Sequence, residues 1–164
     1  MKKVLKFSGI AAFVFALVAF ILMLSCPSVT ASGKYTGISG DFSGVQGIFG
    51  GNGANATWSA IIAFVLIIVA MVIILAGIIL PILKIHALDK VAGVLNLIAV
   101  IALVVAGIFL FIEVPCFKGA NDIGNTGSLA LGLGAGWVIA GILSIIGGVV
   151  AILPAVFDFL GKGK

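Results

Sequence analysis

Along the chain, four long apolar runs alternate with short polar or glycine-rich connections. Val4–Ser25 is interrupted only by Lys6 and Ser8, and Thr57–Leu83 is nearly unbroken from Ala60 onward. Val91–Glu113 holds one polar side chain inside it, Asn96, and Leu129–Leu153 is the run richest in glycine. A hydrocarbon core of about 30 Å takes roughly 20 helical residues, so each run can cross a bilayer as a helix. A membrane barrel would show segments of about 10 residues alternating apolar and polar, and that alternation is missing. The pattern predicts an all-α transmembrane four-helix bundle, a single integral membrane domain over 1–164. Its spans are expected at about 4–25, 57–83, 91–113 and 129–153, with longer loops at 26–56 and 114–128.

Composition narrows this further. Hydrophobic residues make up 63% of the 164 and charged residues only 9%, against about a quarter in a soluble domain. A water-soluble globule and a disordered chain are both excluded. The basic balance rests on nine Lys+Arg, all of them lysine and mostly beside spans, so no nucleic-acid surface is expected. Lys2, Lys3, Lys6, Lys84, Lys90, Lys162 and Lys164 fall on one side of the predicted topology, Lys34 and Lys118 on the other. The positive-inside bias then places both termini and the short turn 84–90 in the cytoplasm, and loops 26–56 and 114–128 outside. The start Met1-Lys2-Lys3 and the triplet Leu24-Ser25-Cys26 also suit a cleaved lipoprotein signal. The apolar run Phe7–Ser25, at 19 residues, exceeds the usual 7–15 of a signal core, which favours a retained helix.

In a bilayer, helices associate through close backbone approach and interhelical hydrogen bonds. Gly132, Gly136, Ala140, Ser144 and Gly148 recur every four residues and predict a groove on the fourth helix, for another helix of the bundle or for a second copy. Ala92, Asn96, Ala99, Ala102 and Ala106 form a seam on the third, and Ala63, Ala70 and Gly77 mark the second at heptad spacing. Asn96 is read as interhelical glue, and Glu113 as a solvated anchor at the headgroup level. Pro81 and Pro154 are expected to kink or end their helices. Trp58 heads the second span as an interfacial aromatic, and Trp137 is expected to pack between glycines.

Cys26 and Cys116 follow the two outward-running spans, each beside a proline, Pro27 and Pro115. Both would emerge on the oxidising side, so a disulfide is expected, with free thiols as the alternative. The bridge would join residues 90 apart in sequence, worth roughly 4–5 kcal/mol by chain entropy. A metal site is not expected, because two thiols need further ligands and His86 falls on the opposite side.

The segment 34–54 reads in sevens as KYTGISG, DFSGVQG, IFGGNGA. Tyr35, Ile38, Phe42, Val45 and Phe49 have helical spacing, although the glycines oppose a helix in water. A short helix near 41–49 is expected, with its aromatic side resting on the bilayer interface or on a neighbouring copy.

This layout of four helices, termini inside, a larger first outer loop and a tryptophan heading the second span resembles the claudin and MARVEL tetraspan groups. The claudin loop signature, Trp-Gly-Leu-Trp with two nearby cysteines, is absent from the loop. The loop Ala31–Trp58, ending Gly47-Ile48-Phe49-Gly50, is similar to that of small bacterial four-helix membrane proteins. No Ser/His/Asp set, paired intramembrane carboxylates or phosphate loop can be assembled, so neither an enzyme nor a cofactor is expected. The expectation is a structural or assembly tetraspan protein. It would sit multi-pass in a bacterial plasma membrane and contact copies of itself or a membrane partner. A small channel or transporter subunit is the alternative.

Overall fold

A computed structural model describes residues 2–33, 39–82, 92–122 and 129–160. The chain is mostly helical. Helix α1 spans Lys2–Ser25, α3 Trp58–Ile82, α4 Ala92–Phe111 and α6 Ala135–Leu160. Each contains an apolar stretch long enough to cross a membrane: Phe7–Ser25, Trp58–Ile79, Gly93–Phe111 and Ala135–Val156. The protein is therefore multi-pass by length and composition. Two shorter helices, α2 (Gly44–Phe49) and α5 (Glu113–Ala120), and strands β1 (Pro27–Gly33), β2 (Ser39–Ser43) and β3 (Leu129–Leu133) complete the described elements.

The packing is inverted relative to a water-soluble bundle. Small residues face inward: Ala12, Ala16 and Ala19 on α1, Ala60, Ala63 and Ala70 on α3, Ala99, Ala102 and Ala106 on α4, and Ala140, Ala151 and Ala155 on α6. Branched residues such as Val72, Ile101, Ile139 and Val149 face outward. Lipid tails solvate those branched chains as well as a protein core would, so the small residues are best spent on bringing backbones together. Helix α6 packs most extensively on α4 and α1, and α3 closes the ring against both.

The strands are a departure from the all-α expectation. They form an antiparallel sheet in the order β2-β1-β3. Val29 stands opposite Phe42 on one side and Leu133 on the other. The ladder carries a bulge between Pro27 and Val29, and Pro27 takes the first strand position, where its missing N–H does least harm. The fourth apolar run thus begins as strand, not helix: Leu129–Leu133 pairs with β1, and α6 starts at Ala135. Residues 39–43, expected to contribute helical turns, are also strand. Helix α2 starts only after them, through a reciprocal capping box in which Gln46 N–H donates to Ser43 Oγ and Ser43 N–H to Gln46 Oε1. The third span ends at Phe111, and Glu113 opens a separate helix, α5, whose first turn accommodates Pro115. Pro154 lies inside α6, which continues to Leu160. The expectations on Pro81 and on residues 34–38 concern side chains or backbone outside the described residues.

Candidate functional site

The small-residue stripe of α6 is filled from within the chain. A methyl group on Gly136 would overlap the Cβ and Sγ of Cys26, at the end of α1. One on Gly148 would come within 2.8 Å of Val104 Cγ2 and 3.2 Å of the Val100 carbonyl on α4. Ala140 and Ser144 between them are buried. Gly132 does not belong to the helical row: it sits in β3, against Thr30 Oγ1. The less regular glycines do as much work. Gly147 faces Phe15 and Ala12 of α1, and the Cβ position of Gly107 lies 2.8 Å from the Gly141 carbonyl, so α4 and α6 approach backbone to backbone there. Asn96 faces Gly77 of α3, whose Cβ position lies 3.5 Å from Asn96 Oδ1.

The expected disulfide is not present. Cys26 and Cys116 are both free, half-buried thiols. The reason is local: Cys26 is turned toward α6, where its sulfur occupies the space above Gly136, while Cys116 lies on α5.

The aromatic set of the 26–56 loop does not share one face. Tyr35 and Ile38 lie outside the described residues. Phe42, on β2, tilts against Phe117 of α5 with ring centroids 4.7 Å apart. Phe49, on α2, meets Phe64 of α3 edge-on at 5.6 Å and keeps most of its surface exposed, as does Val45 nearly half of its own. The strand-to-helix change at Ser43 is what separates them, because it breaks the 3.6-residue period the spacing implied.

A polar cluster that the sequence reading missed lies under the sheet. Ser28 of β1, Thr57 and Ser59 at the head of α3, and Glu113 of α5 are each fully buried. Ser59 Oγ donates to Glu113 Oε2 at 2.5 Å. Glu113 Oε1 points at α2: a methyl group on Gly47 would stand 3.3 Å from it and 3.1 Å from Ser28 Oγ. Ser28 Oγ donates to the Phe42 carbonyl at 3.1 Å, and Thr57 N–H to the Gly47 carbonyl at 2.8 Å. The cluster therefore ties α2, α3, α5 and the sheet together at one point. Burial pushes the Glu113 carboxyl up from 4.5 to about 7, against the lowering effect of the Ser59 hydroxyl. The Thr57 hydroxyl lies beside the same carboxyl and lowers it further, yet Thr57 Oγ1 and Glu113 Oε1 complete no well-aligned hydrogen bond. Glu113 is thus not the solvated anchor its position at a span end suggested. The available signal was the trio of polar residues bounding two span ends, Thr57, Ser59 and Glu113, which hydropathy alone does not bring together.

Nearby, Asn55 and Asn121 clasp the loop before α3 to the end of α5. Asn55 N–H donates to Asn121 Oδ1 at 2.7 Å, and Asn55 Nδ2 to the Ala120 carbonyl at 2.8 Å. Among the described residues, no group of three or more His, Cys, Asp and Glu is placed to hold a metal. No protein-family model matches the chain, and no curated protein matches it.

Proposed function

We propose that the protein is a structural tetraspan. Its bundle would hold a folded cap of sheet, α2 and α5 at one face of the membrane for contact with copies of itself or with a membrane partner. The observation that carries this reading is the state of the sheet edges. Among the described residues, β2 and β3 each have a single neighbouring strand, so each offers a row of backbone donors and acceptors. Strand β2 bears Asp41, a charge of the kind that discourages edge pairing, whereas β3 reads LALGL with no charge, proline or bulge. The lysine bias supports termini inside and the cap outside. The lysine-only basic content supports a bacterial plasma membrane.

A lined permeation path has less in its favour. Asn96 lies against Gly77 between α3 and α4, and Ser144 is enclosed within the bundle. Both placements suit packing. The assembly reading is tested by native mass measurement after gentle extraction, on wild type and on Ala130→Lys. Ala130 is an exposed residue of β3, so its replacement charges the edge without disturbing the core. The expected result is an oligomer or partner complex that the lysine dissociates. A wild type that is monomeric and partner-free in native membranes would sink the proposal.

A further inference from the structure

The Glu113 junction has features that structural packing leaves unexplained. A fully buried carboxyl is satisfied on one oxygen by Ser59, while the other, Oε1, completes no well-aligned hydrogen bond, and neither does the Thr57 hydroxyl beside it. Among the described residues, nothing around it supplies a countercharge. Helix α3 over Trp58–Ile82, α4 over Ala92–Phe111, α2 over Gly44–Phe49, and strands β1 and β3 carry no ionisable side chain. On α5 itself the other ionisable groups are Cys116 and Lys118, and among the described residues neither forms an ion pair with Glu113. Asp41 and Asp122 are exposed. A fully buried carboxylate with two neutral hydroxyls and no cation beside it is disfavoured, because the hydroxyls do not offset the desolvation of a full charge; a neutral carboxylic acid avoids that cost, and its O–H can donate to Thr57 Oγ1.

We propose that Glu113 is a proton-operated latch: neutral, it holds α5 docked on α3, α2 and the sheet, and ionised, it releases α5 from them. The proton passes between the carboxyl and bulk water, and no other reactant is needed. Release would also loosen what α5 carries: the Phe42–Phe117 ring contact to β2 and the Asn55–Asn121 clasp to the loop before α3. The cap would then respond to the pH on its own side of the membrane, because Glu113 lies beyond the apolar span ending at Phe111.

The sign follows from the carboxyl being held near 7 when docked, against 4.5 when free. Docking is strongest below 4.5, weakens by up to tenfold per pH unit as pH rises, and levels off above about 7. The experiment is hydrogen exchange of α5 in lipid nanodiscs from pH 4.5 to 8.5, with each rate divided by its intrinsic chemical rate. In wild type the opening ratio of residues 113–120 should rise by at least tenfold over this range and then plateau. Glu113→Gln should keep α5 protected at every pH. Ser59→Ala removes the donor to the ionised form, so it should move the plateau to higher pH. A flat wild-type profile would overturn the proposal, as would a Glu113→Gln profile that follows the wild type. Should the glutamine variant fail to fold, a Ser59→Ala plateau at the wild-type pH overturns it equally.

Discussion

The Ser8 hydroxyl donates to the Val150 carbonyl across α1 and α6 at 2.6 Å. Val150 is the residue whose carbonyl would ordinarily accept the N–H of residue 154, and that residue is Pro154. The proline leaves that carbonyl without its helical donor, and a serine on the neighbouring helix satisfies it. The helix continues past its proline to Leu160. Ser8→Ala should destabilise the bundle by about 1 kcal/mol in bicelles. In Pro154→Ala, which restores the N–H, the same substitution should cost far less. Equal costs in both backgrounds would mean the two residues act independently.

Gly136 has no room for a side chain. We expect Gly136→Leu to destabilise the folded monomer by about 1–3 kcal/mol or more, because Cys26 occupies the space. Gly136→Ala should be milder, and Cys26→Gly should recover part of its loss. Thermal melts in one detergent decide this. A Gly136→Leu monomer as stable as wild type would show that the two helices do not meet there.

The thiols of Cys26 and Cys116 are separate. Denatured protein should react with two equivalents of maleimide without prior reduction. Reductant should leave the melting temperature unchanged. Uptake of thiol reagent only after reduction would show a bridge.

Stability should fall as pH rises from 4.5 toward 7 and then level off, because folding must hold the Glu113 proton that the unfolded chain releases. At one pKa unit per 1.36 kcal/mol the loss is at most about 3 kcal/mol. Glu113→Gln should therefore be more stable than wild type at pH 8 and about equal at pH 4. Steric-trap unfolding at both values measures it; a glutamine variant less stable at pH 8 would contradict the assignment.

The spans were legible because a helix in lipid needs only length and apolarity, both local properties. The α6 stripe was legible from Gly136 on for the same reason. The sheet was not. Leu129–Leu133 is as apolar as the helix it precedes, and its extended state depends on pairing with β1, about a hundred residues earlier. Spacing alone also misled at Phe42 and Phe49, since the same seven-residue step crosses from strand to helix. The one local clue there was Ser43-Gly44-Val45-Gln46, a capping box that marks where the helix begins. The Glu113 cluster was invisible for a different reason: burial of a carboxyl at a span end depends on which elements fold over it.

The strand order β2-β1-β3 also sets a timetable for biosynthesis. Strand β1 leaves the ribosome early and finds β2 at once, but its other edge must wait for β3, after the third span has been made. Until then a nascent chain inserted in the membrane exposes an unpaired strand edge and the Cys26 corner that Gly136 will later cover. Completion of the sheet therefore comes just ahead of the last helix, whose first residues follow β3 directly. A chain halted before Leu129 would display that open edge to the quality-control machinery on its side of the membrane.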